Sequence, residues 1–348
     1  MTDAPLNRGV QAALAAALLF GVATPAAKCL LGEVSPWLLA GMLYLGSGIG
    51  LFLWRRLRRL PAERIPHEER LWLAGAVLSG GIAGPVLLLH GLNAMPASGA
   101  SLLLNAEGVF TALIAWFVFR ENFDRRIALG MLAIVAGAAL LAWPGDARFS
   151  SAWPALAVLG ACLAWGLDNN LTRRVSLSDA TYVAMVKGLA AGTTNTILAV
   201  AAGAAWPGAQ AAAASLALGF VSYGLSLALF VVALRHLGTA RTGAYFSTAP
   251  FAGAALAIVL LGEAPGWQFA AAAALMAYGV WLHLSERHEH PHAHEAVEHA
   301  HEHEHDEHHQ HAHDSPVSPG TRHTHRHAHE AATHSHPHYP DAHHRHEH

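Results

Sequence analysis

Charge is scarce in this chain and cysteine scarcer. Asp, Glu, Lys and Arg make up 13% of 348 residues, against 53% hydrophobic types. A soluble core of this size would be wrapped in amphipathic helices with charged faces, and no such faces are found. The two cysteines, Cys29 and Cys162, both lie in apolar runs, which supports neither a disulfide framework nor a Cys-based zinc site. No phosphate-cradling Gly loop, Rossmann fingerprint or catalytic-triad spacing occurs, so neither an enzyme nor an ATP-driven pump is expected, no cofactor is required, and no nucleic-acid partner is implied.

What the chain has instead is long apolar runs broken by short polar gaps. About 20 residues at 1.5 Å each cross the hydrocarbon layer, and ten runs qualify: 10–31, 35–54, 70–92, 97–119, 126–143, 153–172, 180–202, 211–234, 242–262 and 266–284. The bilayer is the first partner implied. Small residues recur within these spans as Gly46-x-x-x-Gly50, Gly80-x-x-x-Gly84 and Gly188-x-x-x-Gly192, a spacing that suits close helix approach in lipid. The first run resembles a secretory signal ending in "ATPA", but it is too long and Arg8 is its single basic flank, so a span is expected.

Basic residues orient the spans. With the N-terminus inside, Arg8, Arg55, Arg56, Arg58, Arg59, Arg64, Arg70, Arg120, Arg125, Arg126, Arg173, Arg174, Arg235, Arg241 and Arg287 all fall on the inner side, leaving Arg148 and Lys28 outside. Cytoplasmic loops carry such an excess. The expectation is an integral inner or plasma membrane protein with both termini cytoplasmic.

"NAEGVFTALIAWFVFRE" (Asn105–Glu121) and "STAPFAGAALAIVLLGE" (Ser247–Glu263) are alike at an offset of 142 residues, and each is an apolar helix ending in an acidic residue. Five spans precede the midpoint and five follow. Five is odd, so the second half is inverted relative to the first, a plan associated with secondary transporters that bind substrate between the halves. These stretches, with "LAWGLDNNLTRR" in the sixth span, resemble the drug/metabolite transporter superfamily, EamA type, over about residues 10–284. Gly108 stands where the family usually has Pro, whereas Pro250 keeps it. The resemblance implies coupled transport, often export, of small solutes. It also implies a cavity lined by the first, third and fourth spans of each half. The expected fold is therefore an all-α membrane protein with ten transmembrane helices as two inverted five-helix repeats, residues 10–143 and 153–284, plus a disordered His-rich cytoplasmic tail, residues 288–348.

Ionisable groups inside a membrane are functional candidates by default. Glu107 lies near the middle of its span, roughly 15 Å from either end. A carboxyl there suits proton coupling or cation binding; a hydrogen-bonded structural glutamate is the plainer alternative. Asn105, two residues away, points to nearly the opposite face. Asp168 lies about 7 Å inside the arginine-rich edge, and with Asn169 and Asn170 it forms either a wet helix end or an inner-mouth site. Lys187 lies roughly 12 Å in from the same side on the next span, where it either snorkels to the surface or pairs with Asp168. Asn195 shares a helical stripe with Gly188 and Gly192, which suits a helix contact joined by an amide. His90 and His236 near span ends suit interfacial positions.

The last 61 residues hold 23 of the 27 histidines, with eleven Asp and Glu against three Arg. So little apolar surface predicts disorder. Neutral imidazoles beside carboxylates bind divalent transition metals, and His288, His290, His292, His294, His299, His301, His303, His305, His308, His309, His311 and His313 form overlapping H-x-H sites. Alternatively the tail senses pH or binds metal incidentally. The leading sequence reading is an ion-coupled exporter, with a proton as candidate coupling ion, of nickel, cobalt or zinc. Two alternatives stand beside it: export of amino acids or other small metabolites, and a membrane-tethered metal buffer that transports nothing.

Overall fold

Apolar runs in lipid find no water for their backbone N–H and C=O groups, and a helix closes those bonds within one segment. The computed structural model describes residues 8–61, 65–119, 125–142, 152–173, 175, 179–233 and 245–284, together with the backbone of 289–294, 297–303, 323–329 and 332–337. It separates into two units, residues 1–286 and 287–348.

The described part of the first unit is all-helical: α1 Arg8–Gly21, α2 Ala23–Leu30, α3 Pro36–Leu57, α4 Arg70–Ala76, α5 Gly84–Asn93, α6 Ala97–Leu103, α7 Ala106–Phe119, α8 Arg125–Ala142, α9 Trp153–Arg173, α10 Ala180–Ala201, α11 Ala209–Gly219, α12 at 226–233, α13 Ala249–Leu261 and α14 Trp267–Leu284. Several join end to end. Six stretches are long and apolar enough to cross a membrane: Arg8–Leu30, Pro36–Leu57, His67–Asn93, Ala97–Val118, Thr181–Ala201 and Ala209–Ala233. Ala128–Leu141, Ala249–Leu261 and Trp267–Leu282 are shorter apolar helices. Helix α9 has the length, at 21 residues, but carries Asp168, Asn169 and Asn170 near its end. Large apolar side chains face outward on most of these helices, among them Phe52, Phe117, Leu132, Ile197 and Val259. A water-soluble surface rarely exposes so continuous an apolar coat. The chain is an integral membrane protein.

The helices are interrupted at matched places. The α6–α7 stretch breaks at Leu104–Asn105 and the stretch leading into α13 turns at 247–248. Asn105 and Ser247 are equivalent at the 142-residue offset. Val77–Ala83, between α4 and α5, is π-helical, and so is Phe220–Leu225, between α11 and α12; these too coincide at that offset to within a residue. A π-turn absorbs one extra residue and displaces the face that follows, which no periodicity count anticipates.

Packing follows the small residues. Helix α3 runs along α10 and α11. A Cβ on Gly46 would lie 2.0 Å from the Leu216 carbonyl oxygen, and one on Gly192 would lie 2.4 Å from the Leu45 nitrogen. Gly80 and Gly84 admit Asp168 and Trp165 of α9 in the same way. Contacts this tight supply the van der Waals term that drives association in lipid. A Cβ on Gly219 would lie 2.0 Å from the Leu43 carbonyl oxygen, whereas one on Gly108 meets nothing within 4 Å. We predict that Gly219→Ala costs about 1–3 kcal/mol through overpacking and that Gly108→Ala is neutral or stabilising by up to about 1 kcal/mol. Melting of the detergent-solubilised protein measures both; equal melting temperatures would contradict the packing described.

Where the chain enters α10, Asp179 is the N-cap and accepts from the Thr181 and Tyr182 N–H groups. Buried Arg55 reaches the same carboxylate at 2.9 Å, donates to the Thr181 hydroxyl and the Pro61 carbonyl, and lies 5.3 Å from the Tyr182 ring centroid. Partial burial works to raise the Asp179 pKa, but the Thr181 hydroxyl, the Tyr182 N–H and Arg55 outweigh it, so its pKa falls below the ordinary carboxylate value. A depressed folded pKa contributes stability above the unfolded value, and that stability is lost as pH falls through the folded one. The wild type is therefore expected to lose melting temperature between about pH 5 and pH 3 by more than Asp179→Asn does. Parallel pH profiles would remove Asp179 as the cause.

In the C-terminal unit, Glu289–His294 pairs antiparallel with Ala332–Pro337 and Val297–His303 with His323–His329. Alternating H-x-H has the period of two of an extended strand. His288, His305, His308, His309, His311 and His313 lie outside the described residues, as do the tail's side chains, His236, and Glu121 of the repeat comparison.

Candidate functional site

Successive residues on a helix point about 100° apart, so Asp168 and Asn169 on α9 meet different helices. Asp168 faces α10, where Lys187 Nζ lies 2.5 and 2.8 Å from its two carboxylate oxygens. The pairing expected from their place at the same edge of successive helices is present. Thr172, one turn along, donates to Asp168 Oδ1 at 2.9 Å and accepts from Lys187 at 3.1 Å. The side chains of Asp168 and Lys187 are only 10% and 16% exposed, and each charge offsets the burial cost of the other.

Asn169 faces α7. Its amide donates to Glu107 Oε1 at 2.9 Å and to the Thr111 hydroxyl at 3.2 Å; that hydroxyl in turn donates to the Glu107 carbonyl at 2.8 Å. Glu107 lies in the first turn of α7, just beyond the Leu104–Asn105 break, and both it and Asn169 keep contact with solvent-accessible space. Among the described residues Glu107 has no cationic partner. Two carboxylates thus lie on neighbouring helices, one neutralised within the protein and one not.

The remaining candidates are structural in their geometry. Asn170, buried, donates to the Thr111 and Gly166 carbonyls and ties α9 to α7. Asn105 donates to the Leu102 carbonyl and closes the break locally. Asn195, fully buried, donates to the Gly81 carbonyl at 3.0 Å and accepts from Trp37 Nε1 at 3.2 Å. Tyr44 and Trp165 both donate to the Gly80 carbonyl, at 2.8 and 2.9 Å. Three side chains therefore hold the carbonyls of the first π-turn. Sequence reading missed Tyr44, Trp165, Thr111 and Thr172; only the threonines left a signal, each lying four residues beyond an acidic candidate. His90 bonds to its own helix at the Val86 carbonyl.

No three His, Cys, Asp or Glu side chains among the described residues are grouped to hold a metal ion. The site can accept a proton or another cation at Glu107 and can donate hydrogen bonds from Asn169.

The EamA-like transporter family model matches residues 7–143 and again 152–285. An uncharacterized transporter of Methanothermobacter thermautotrophicus is 29% identical over 271 residues, 72% of this chain and 78% of its own length. A probable 4-amino-4-deoxy-L-arabinose-phosphoundecaprenol flippase subunit ArnE of Pseudomonas fluorescens is 35% identical over 104 residues, 30% of this chain and 90% of its own. A protein crystal structure aligns with a TM-score of 0.59 at 21% identity, covering 79% of this chain and 94% of its own; that likeness concerns the fold alone.

Proposed function

The chain belongs to the EamA-like transporter family, whose model matches both of its halves, and we propose on that footing that it is an ion-coupled exporter of small organic solutes bearing a cationic nitrogen. The ten helical stretches among the described residues are read as ten crossings, two inverted five-helix repeats with both termini cytoplasmic. Matched breaks and matched π-turns at the 142-residue offset support the duplication. The transport site is Glu107 with Asn169. The observation that carries this reading is the division of labour between carboxylates: Lys187 neutralises Asp168, so Glu107 is left to exchange a proton for a positively charged solute. The ArnE relatives are named for a 4-amino sugar derivative, which agrees with an amine as the recognised group.

Export of nickel, cobalt or zinc is a second reading and rests on the histidine tail, whose role would be to collect metal at the inner mouth. Proteoliposomes carrying a trapped pH dye separate the two. Organic amines are expected to drive proton movement that empty vesicles lack, and Ni²⁺ is not. Proton movement with Ni²⁺ alone, lost when the chain ends after Arg287, would favour metal instead.

A further inference from the structure

Two charged side chains converge on one tight turn at the end of the bundle opposite the arginines. Helix α5 ends at Asn93 and α6 begins at Ala97, with Ala94–Pro96 between them. The last carbonyls of a helix and the first N–H groups of the next lack partners within their own helices. Here both sets are satisfied from elsewhere in the chain. Lys28 Nζ, at the end of α2, donates to the carbonyls of Leu92 at 2.6 Å, Asn93 at 3.1 Å and Met95 at 3.0 Å. The Glu263 carboxylate accepts from the N–H of Ala97 at 2.7 Å and of Ser98 at 2.9 Å, one oxygen to each. Pro96 precedes the helix and offers no side-chain cap. The cap of a first-half helix is thus supplied by a residue 166 positions away, just after Gly262, whose left-handed φ of 63° ends α13.

Directly below this turn α1, α6 and α13 meet without room to spare. A Cβ on Gly253 would lie 2.8 Å from the Gly21 carbonyl oxygen and 2.9 Å from Ser101 Oγ. Ser101 is 1% exposed and its hydroxyl has no partner among the described residues. It lies one turn below the capped N–H groups and six residues above Glu107, between the turn and the transport site. A buried hydroxyl with no partner is costly in a permanently closed helix seam and is relieved when the seam admits water.

We infer that Glu263 and Lys28 are positioning residues that hold the transport path shut at this end, Glu263 by tying α13 to α6 and Lys28 by fixing the turn from its other side. Both grip the same turn, Glu263 through its N–H groups and Lys28 through its carbonyls. The path that they close is the one assigned to Glu107 under the proposed function, but its accessibility is measured without any substrate.

The test is labelling of Ser101→Cys in a chain with Cys29→Ala and Cys162→Ala, using a membrane-impermeant maleimide on intact cells and on inverted vesicles. Labelling is expected to be slow in the parent. Glu263→Ala should accelerate it by about tenfold or more, because two charge-assisted bonds hold the closed state. Lys28→Met should accelerate it too, and Glu263→Asp should return toward the parent. The acceleration should appear from one membrane face only. A mere stability cap would lower the melting temperature and leave the labelling rate unchanged. Unchanged labelling in both Glu263→Ala and Lys28→Met overturns the inference. If Glu263→Ala does not accumulate, Lys28→Met and Glu263→Asp carry the test. Labelling that responds as expected while no amine is transported would retain the closure and discard the solute.

Discussion

Replacing Glu107 by Gln is expected to abolish exchange, lowering solute-driven proton movement by about a hundredfold or more, because a mid-membrane carboxylate is the group that carries the exchanged charge. The substitution is informative because it is nearly isosteric. The Gln carbonyl still accepts from the Asn169 amide that now donates to Glu107 Oε1, so stability should change by less than about 1 kcal/mol. Only the ability to lose and regain a proton is removed. Loss of transport with an unchanged melting temperature assigns the role to the carboxylate; transport at wild-type rate would assign it elsewhere.

The second large effect is on stability. Removing one member of the Asp168–Lys187 pair leaves a buried charge without compensation, which costs about 3–5 kcal/mol. Asp168→Asn and Lys187→Met are each expected to unfold far more readily than the wild type. The double variant should recover much of the loss, since a neutral pair in the same space has little left to desolvate. Thr172 bonds to both members, so Thr172→Val should add a smaller penalty that disappears in the double-variant background. Additive losses in a double-mutant cycle would show that the two charges are not each other's compensation.

These residues also show what the sequence discloses. Hydropathy placed the helical stretches within a few residues, because backbone satisfaction in lipid leaves the chain no other choice. Lys187 and Asp168 were legible as a pair because depth along successive helices follows from counting. Asn195 and its glycine stripe were legible as a helix contact for the same reason. The partner of Glu107 was not legible. Whether Asn169 or Asn170 reaches the Glu107 carboxylate depends on how α9 is rotated, and that rotation is set by Gly80, Gly84 and Gly166, which admit Asp168, Trp165 and Phe110 at close range. The roles of Lys28 and Glu263 were hidden too. One is an isolated lysine near a span end and the other the acidic end of a repeated phrase, and only the fold shows that both reach the same turn. The metal-efflux reading came from the tail's composition, which carries no information about what the membrane unit holds.

The two π-turns have a mechanical consequence. A helix with all of its bonds made is a stiff rod, and the wide turn is where such a rod has slack. Both halves of the chain carry that slack at the same place, yet they are not equally compliant. Flexing the first means parting Tyr44 and Trp165 from Gly80 and Asn195 from Gly81. The second contains Ser222, whose buried hydroxyl has no partner among the described residues. Three bonds brake one joint, while the other holds a donor still waiting for its first.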